Sequence, residues 1–314
     1  MTTHMRMALA GVLLSCAVLA TAVGLTRHAE GDDANPPVTV QGPYVALGDS
    51  YTAGPGIPLQ TGNPPGCDRS DHNYPSLVAA ELGLKGADFK DLSCTGAKIP
   101  DLTSPQSTDD GTNPAQLTAL SAETRLVTLG IGGNDIGFAS LIKRCVTMGV
   151  AYQALGSGRH ISEDAPCERQ YVSITDGTDK VRGKIEQTGE KLSATLKEVA
   201  RRAPQAEIYV VGYPAILPSD GTECGRELPI APGDVTYLRE KEEQLNAMLK
   251  QRAEAAGTHY VDTYTPFEGH DACADAGTRW IEPLLDDDAA AVHPNGRGER
   301  AMADAVVHTL ATSK

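Results

Sequence analysis

Positive charge is scarce in this chain. Among 314 residues, 27 are Lys or Arg and 41 are Asp or Glu, a formal net charge of −14. Neutralising phosphates needs Lys and Arg, so neither a nucleic-acid partner nor an electrostatic grip on anionic membranes is expected. Aromatic residues are few, with one Trp, ten Tyr and three Phe, so the core has to be mostly aliphatic. No Cys-x-x-Cys and no His-x-x-x-His occurs, which removes the common zinc and thioredoxin-type spacings. Gly130-x-Gly132 is no dinucleotide fingerprint, because Asp135 stands where the third glycine belongs. The expectation is therefore no metal and no cofactor. A Gly-x-Ser-x-Gly elbow is also missing, which argues against the α/β-hydrolase superfamily. What is present is ordinary for a globular protein, at 40% apolar and 22% charged residues, and 32 Gly with 20 Pro predict much loop.

Only one segment approaches membrane-spanning length. Residues 7–25 (MALAGVLLSCAVLATAVGL) carry no charge, with Arg6 before them and Arg27 after. A basic start, an apolar stretch and the small-x-small site Ala20-Thr21-Ala22 fit a secretory signal peptide over residues 1–30. The run is also just long enough for an uncleaved N-terminal membrane anchor facing outward. Residues 31–43 (GDDANPPVTVQGP) read as a polar linker. Outside Cys16, six cysteines remain: Cys67, Cys94, Cys145, Cys167, Cys224 and Cys273. An even number in an exported chain suggests three disulfides, and sequential pairing is the simplest of the possible connectivities.

Along the rest of the chain, short apolar runs alternate with amphipathic stretches. Strands are predicted at 44–48, 87–92, 125–131, 206–212 and 258–262. Helices are predicted at 74–83, 136–145, 181–203, 235–256 and 297–310, and residues 146–180 read as an inserted polar loop. Strands alternating with helices predict an α/β fold, a parallel sheet with helices on both faces. No Pro/Gly/Ser-rich linker divides residues 44–312, so they are expected to form one domain, and the chain is expected to be a monomer.

Four short motifs sit directly after predicted strands or before the last helix. GDSYTAG (48–54) places Ser50 at a strand's carboxyl end, where sites of parallel α/β sheets lie. SCTGA (93–97) offers the unobstructed N–H of Gly96. GGNDIGF (132–138) offers the amide of Asn134. VHPNGRG (292–298) supplies His293, the side-chain type with a free pKa nearest neutrality. Each motif alone is an ordinary turn or helix cap.

In this order and over this span the four motifs resemble the GDSL, or SGNH, hydrolase family. Tyr51 stands where the family name has Leu. The cysteine set resembles that of secreted actinomycete esterases and lipases in the family. The resemblance implies a three-layer α/β/α sandwich of flavodoxin-like type and a secreted ester hydrolase acting on a small-molecule or lipid ester. Ser50 would be the nucleophile and His293 the general base. The N–H groups of Ser50 and Gly96 and the side chain of Asn134 would form the oxyanion hole. An acetyl-carbohydrate esterase or phospholipase of the same fold is an alternative, and so is a non-catalytic binding protein that keeps the fold. One departure stands out: the family usually has Asp three residues before the His, and here that residue is Ala290. A main-chain carbonyl near Ala290 could orient His293, Asp288 could do so through an altered loop, or the orienting group is lost. The carbonyl is the favoured reading.

Overall fold

A computed structural model describes residue 40 and residues 42–155, 164–220, 224–284 and 290–313. The targeting segment 1–30, most of the linker 31–43 and the acidic run 286–288, with Asp288, lie outside the described residues. In chain order the strands are β1 (Tyr44–Gly48), β2 (Phe89–Asp91), β3 (Gln106–Thr108), β4 (Gly111–Asn113), β5 (Leu126–Gly130), β6 (Glu207–Val211) and β7 (His259–Val261). The helices are α1 (Ser50–Ala53), α2 (Tyr74–Glu81), α3 (Gly133–Ile136), α4 (Phe138–Leu155), α5 (Lys180–Arg202), α6 (Pro232–Ala255) and α7 (Gly296–Thr312).

Five strands form one parallel sheet in the order β2-β1-β5-β6-β7, and β3 and β4 make a separate hairpin. Every residue of β1 and β5 is buried, which is why both read as apolar runs without alternation. Helix α2 packs with α7 and α5 with α6, giving the helical layers that flank the sheet. From β1 the chain moves outward to β2 and then returns to β5 on β1's other side. That reversal opens a crevice at the carboxyl ends of β1 and β5, the usual position of sites in such sheets. Gly48 and Gly130 sit opposite each other there.

The local expectations shift in a few places. The helix predicted at 136–145 starts at Phe138, after Gly137 turns at φ 75°, and continues to Leu155. So the first ten residues of the predicted loop 146–180 belong to α4. These ten residues, VTMGVAYQAL, are mostly apolar and continue the helix, which buries Ile142, Cys145 and Tyr152 on one side. Helix α6 begins three residues early, with Pro232 in its first turn, where a missing N–H costs nothing. The disulfides pair sequentially, Cys67–Cys94, Cys145–Cys167 and Cys224–Cys273.

Candidate active site

The turn after β1 is built tightly. A side chain at Gly48 would collide with the Thr52 hydroxyl and the Gly130 carbonyl, so only glycine lets β1 end against β5. Both main-chain groups of Gly48 are held by the Gln116 amide, at 2.8 and 2.9 Å. Asp49 then caps α1: its N–H donates to the Gly130 carbonyl at 3.0 Å and its Oδ1 accepts the Tyr51 N–H at 3.1 Å. Ser50 is thereby fixed as the first residue of α1, and its side chain is nearly buried.

His293 arrives from the other end of the chain, on the turn before α7. Its Nε2 lies 2.8 Å from Ser50 Oγ and its Nδ1 lies 2.8 Å from the Ala291 carbonyl. A carbonyl only accepts, so Nδ1 carries the hydrogen and Nε2 faces the serine with its lone pair. Burial holds the imidazole below its ordinary pKa, and the Ala291 carbonyl partly opposes that. Neutral imidazole is the form that can accept a proton.

This turn is not relaxed. Val292 has φ 61°, and a β-branched residue there costs about 1–3 kcal/mol. The surroundings hold it. Val292 N–H donates to the Glu282 carbonyl at 2.8 Å, Glu282 N–H to the His293 carbonyl at 2.9 Å, and Ala290 N–H to the Pro55 carbonyl at 3.1 Å. Behind them the buried Glu282 carboxylate accepts from Arg279 Nε at 3.0 Å and Asn295 Nδ2 at 2.6 Å.

The two remaining predicted residues flank Ser50's crevice. Cys94 N–H donates to the Gly48 carbonyl at 3.0 Å, so the loop bearing Gly96 starts against the end of β1. The Cys67–Cys94 bridge and a bond from Thr95 N–H to the Cys67 carbonyl, 3.1 Å, fasten that loop. Gly96 itself has φ 78°, a conformation natural to glycine. Asn134 donates through Nδ2 to the Ala97 carbonyl at 3.1 Å, tying its loop to that of Gly96. Asn134 lines the crevice with Ser50 and His293, and Gly96 sits on the adjoining loop that Asn134 holds through Ala97.

Tyr213 and Tyr51 join this constellation without having been expected. The Tyr213 hydroxyl donates to Asp49 Oδ2 at 2.5 Å and accepts the Gly133 N–H at 2.7 Å. It therefore couples the serine loop to the Asn134 loop. Asn246 holds Tyr213's main chain on both sides, at 2.8 and 2.9 Å. Burial pushes the Asp49 carboxyl up to about 7, against the lowering effect of the Tyr213 bond. Tyr213 follows β6 as Ser50 follows β1, so its position after a strand was the available signal. Tyr51's partner lies 241 residues away, and no local pattern announces it.

From Ser50 the crevice opens into a cleft of about 470 Å³. Phe138, Ile142 and Val146, one stripe of α4, form one wall, and Leu284 and Val292 line it as well. Its polar lining is Asp49, Ser50, Asn134 and His293 together with Lys143 and Thr147 of α4. Among the described residues no cluster of His, Cys, Asp and Glu is placed to hold a metal ion, and no helix is long and apolar enough to cross a membrane.

The fold is thus a parallel α/β sandwich in which a serine and an imidazole meet at the switch point. The chain belongs to the GDSL-like lipase/acylhydrolase family, whose model matches residues 46–301, and it is an ester hydrolase. It is 40% identical over 301 residues to "Lipase 2" of Streptomyces coelicolor, covering 94% of this chain and 93% of that protein. Among solved structures it is similar to a phospholipase A1 from Streptomyces albidoflavus, with 27% identity and TM-score 0.67, covering 86% of this chain and 99% of that one. It is also similar to an extracellular lipase from Streptomyces rimosus, with 28% identity and TM-score 0.66, covering 87% and 100%.

Proposed function

We propose a secreted serine hydrolase of fatty-acyl oxygen esters in which Ser50 is the nucleophile and His293 the general base. Residues 44–312 are its hydrolase domain, and residues 1–30 serve export or anchoring. The observation that carries this reading is the pair of 2.8 Å contacts of His293, Nε2 to Ser50 Oγ and Nδ1 to the Ala291 carbonyl. Ser50 Oγ adds to the ester carbonyl while Nε2 takes its proton. The carbonyl oxygen becomes an oxyanion, received by the N–H groups of Ser50 and Gly96 and by the Asn134 amide. Collapse breaks the ester C–O bond, and the imidazolium gives its proton to the departing alkoxide. Water then repeats the sequence on the acyl-enzyme.

A neutral carbonyl in place of Asp fixes the same tautomer, although it adds no negative charge to stabilise the imidazolium. Replacing a triad Asp by Asn costs about 10⁴ in rate because the tautomer is wrong, a penalty this arrangement avoids. The Ala291 bond also argues against a protein that has lost catalysis and only binds, since the imidazole remains oriented. The apolar wall of α4 favours a hydrocarbon acyl chain over an acetylated sugar. A panel of nitrophenyl esters from acetate to palmitate, run beside naphthyl phosphate and a peptide, tests the substrate class. Hydrolysis of esters alone, strongest beyond acetate, is expected. Preference for acetate, or cleavage of the phosphate or peptide, overturns it.

A further inference from the structure

We propose that Tyr51 is a positioning residue for His293, and that its hydroxyl does part of the work of the missing carboxylate. The inference rests on the Ser50–His293 reading above. Tyr51's ring stacks on the imidazole, with centroids 4.6 Å apart and planes 29° from parallel. Its hydroxyl donates to the Val292 carbonyl at 2.6 Å, one peptide beyond the Ala291 carbonyl that orients Nδ1. The residue between those two contacts is the one forced to φ 61°. A turn in that conformation relaxes when released, and the Ala291 carbonyl would swing with it. The Tyr51 hydroxyl therefore holds the acceptor that holds the imidazole.

Tyr51 is itself well placed to act as an anchor. It adjoins Ser50 in α1, and its N–H is bonded to Asp49. Its ring meets Tyr213 edge-on at 5.2 Å and 81°. One side chain thus ties the base to the short helix that carries the nucleophile. A leucine at 51 would have neither a hydroxyl to reach Val292 nor a flat face to lie on the imidazole.

The test compares Tyr51→Phe, which keeps the ring, with Tyr51→Leu, which removes ring and hydroxyl. Each is measured for kcat and KM on nitrophenyl butyrate, for Tm, and by ¹⁵N NMR of the His293 ring nitrogens, assigned by subtracting the His293→Gln spectrum. Tyr51→Phe is expected to lower kcat about tenfold with KM within about twofold, and Tyr51→Leu about a hundredfold, since small misplacements of reacting groups cost that much. The ¹⁵N signals should move from a single Nδ1–H tautomer toward an average. In a Val292→Gly background, where positive φ is unstrained, the Tyr51→Phe loss should shrink to within about threefold. A Tyr51→Phe enzyme with native kcat and tautomer overturns the proposal. An equal Tyr51→Phe loss in both backgrounds also overturns it. A loss confined to KM assigns the hydroxyl to substrate contact instead. Full activity in Ser50→Ala would sink the dyad reading, a result separable from all of these.

Discussion

Replacing Asp49 by Asn removes an ionisable group from directly beneath the nucleophile, and its signature is in the pH dependence of stability. Asp49 is 1% exposed. Burial raises its carboxyl from 3.8 to about 7, even though bonds from Tyr213 and the Tyr51 amide favour the ionised form. The folded chain keeps this proton to about pH 7, whereas the unfolded chain releases it near 3.8. Between those values folding takes up a proton, so stability falls as pH rises, by about 1.4 kcal/mol per pH unit. Over the whole window the loss is on the order of 4 kcal/mol, and above pH 7 both states are ionised and the loss is complete. Asn retains an oxygen for the Tyr51 N–H and does not titrate. Urea unfolding of both proteins from pH 4 to 8 isolates the effect, because the other carboxylates cancel in the difference. The stability of wild type minus variant is expected to fall by roughly 4 kcal/mol between pH 4 and 7, then level off. Parallel curves, or a difference that rises with pH, would refute the reasoning.

Asn134→Ala is expected to lower kcat by about 10²–10³ if the amide receives the oxyanion. A mere structural tie to Ala97 would show as a lower Tm with near-native turnover. Val146 lies eight residues beyond Phe138 on the cleft wall, about 12 Å along the helix and room for roughly ten acyl carbons. Val146→Trp is therefore expected to cut the kcat/KM ratio of decanoate to butyrate about tenfold, and an unchanged ratio places the chain elsewhere. Opening the Cys67–Cys94 bridge with mild reductant is expected to lower turnover before it lowers Tm. Activity that survives until the protein melts would make the bridge purely stabilising.

The sheet and its order of elements were legible because parallel strands buried on both faces leave plain apolar runs, as at 44–48 and 126–130. The four motifs were legible for a related reason: a parallel sheet delivers its functional loops at strand ends, so Ser50 and Asn134 follow β1 and β5 directly. The extent of α4 was not, since Gly149 interrupts residues 146–155 and the polar stretch beyond them masks where the helix ends, although it buries Ile142, Cys145 and Tyr152. Ala290 in place of Asp pointed to a main-chain carbonyl nearby as the orienting group of His293, but not to which one, because carbonyls carry no sequence signature; it is the Ala291 carbonyl that faces Nδ1. Tyr213 and Tyr51 act through contacts spanning 164 and 241 residues, and such pairings exist only once the chain has folded.

The most direct measurement is intact-mass and peptide-level titration with a serine-directed organophosphonate, run beside ester turnover. One phosphonyl group per chain, located on Ser50, with neither label nor turnover in Ser50→Ala, is the predicted result. Label on another residue, or an Ser50→Ala protein that hydrolyses esters at the native rate, would contradict the account.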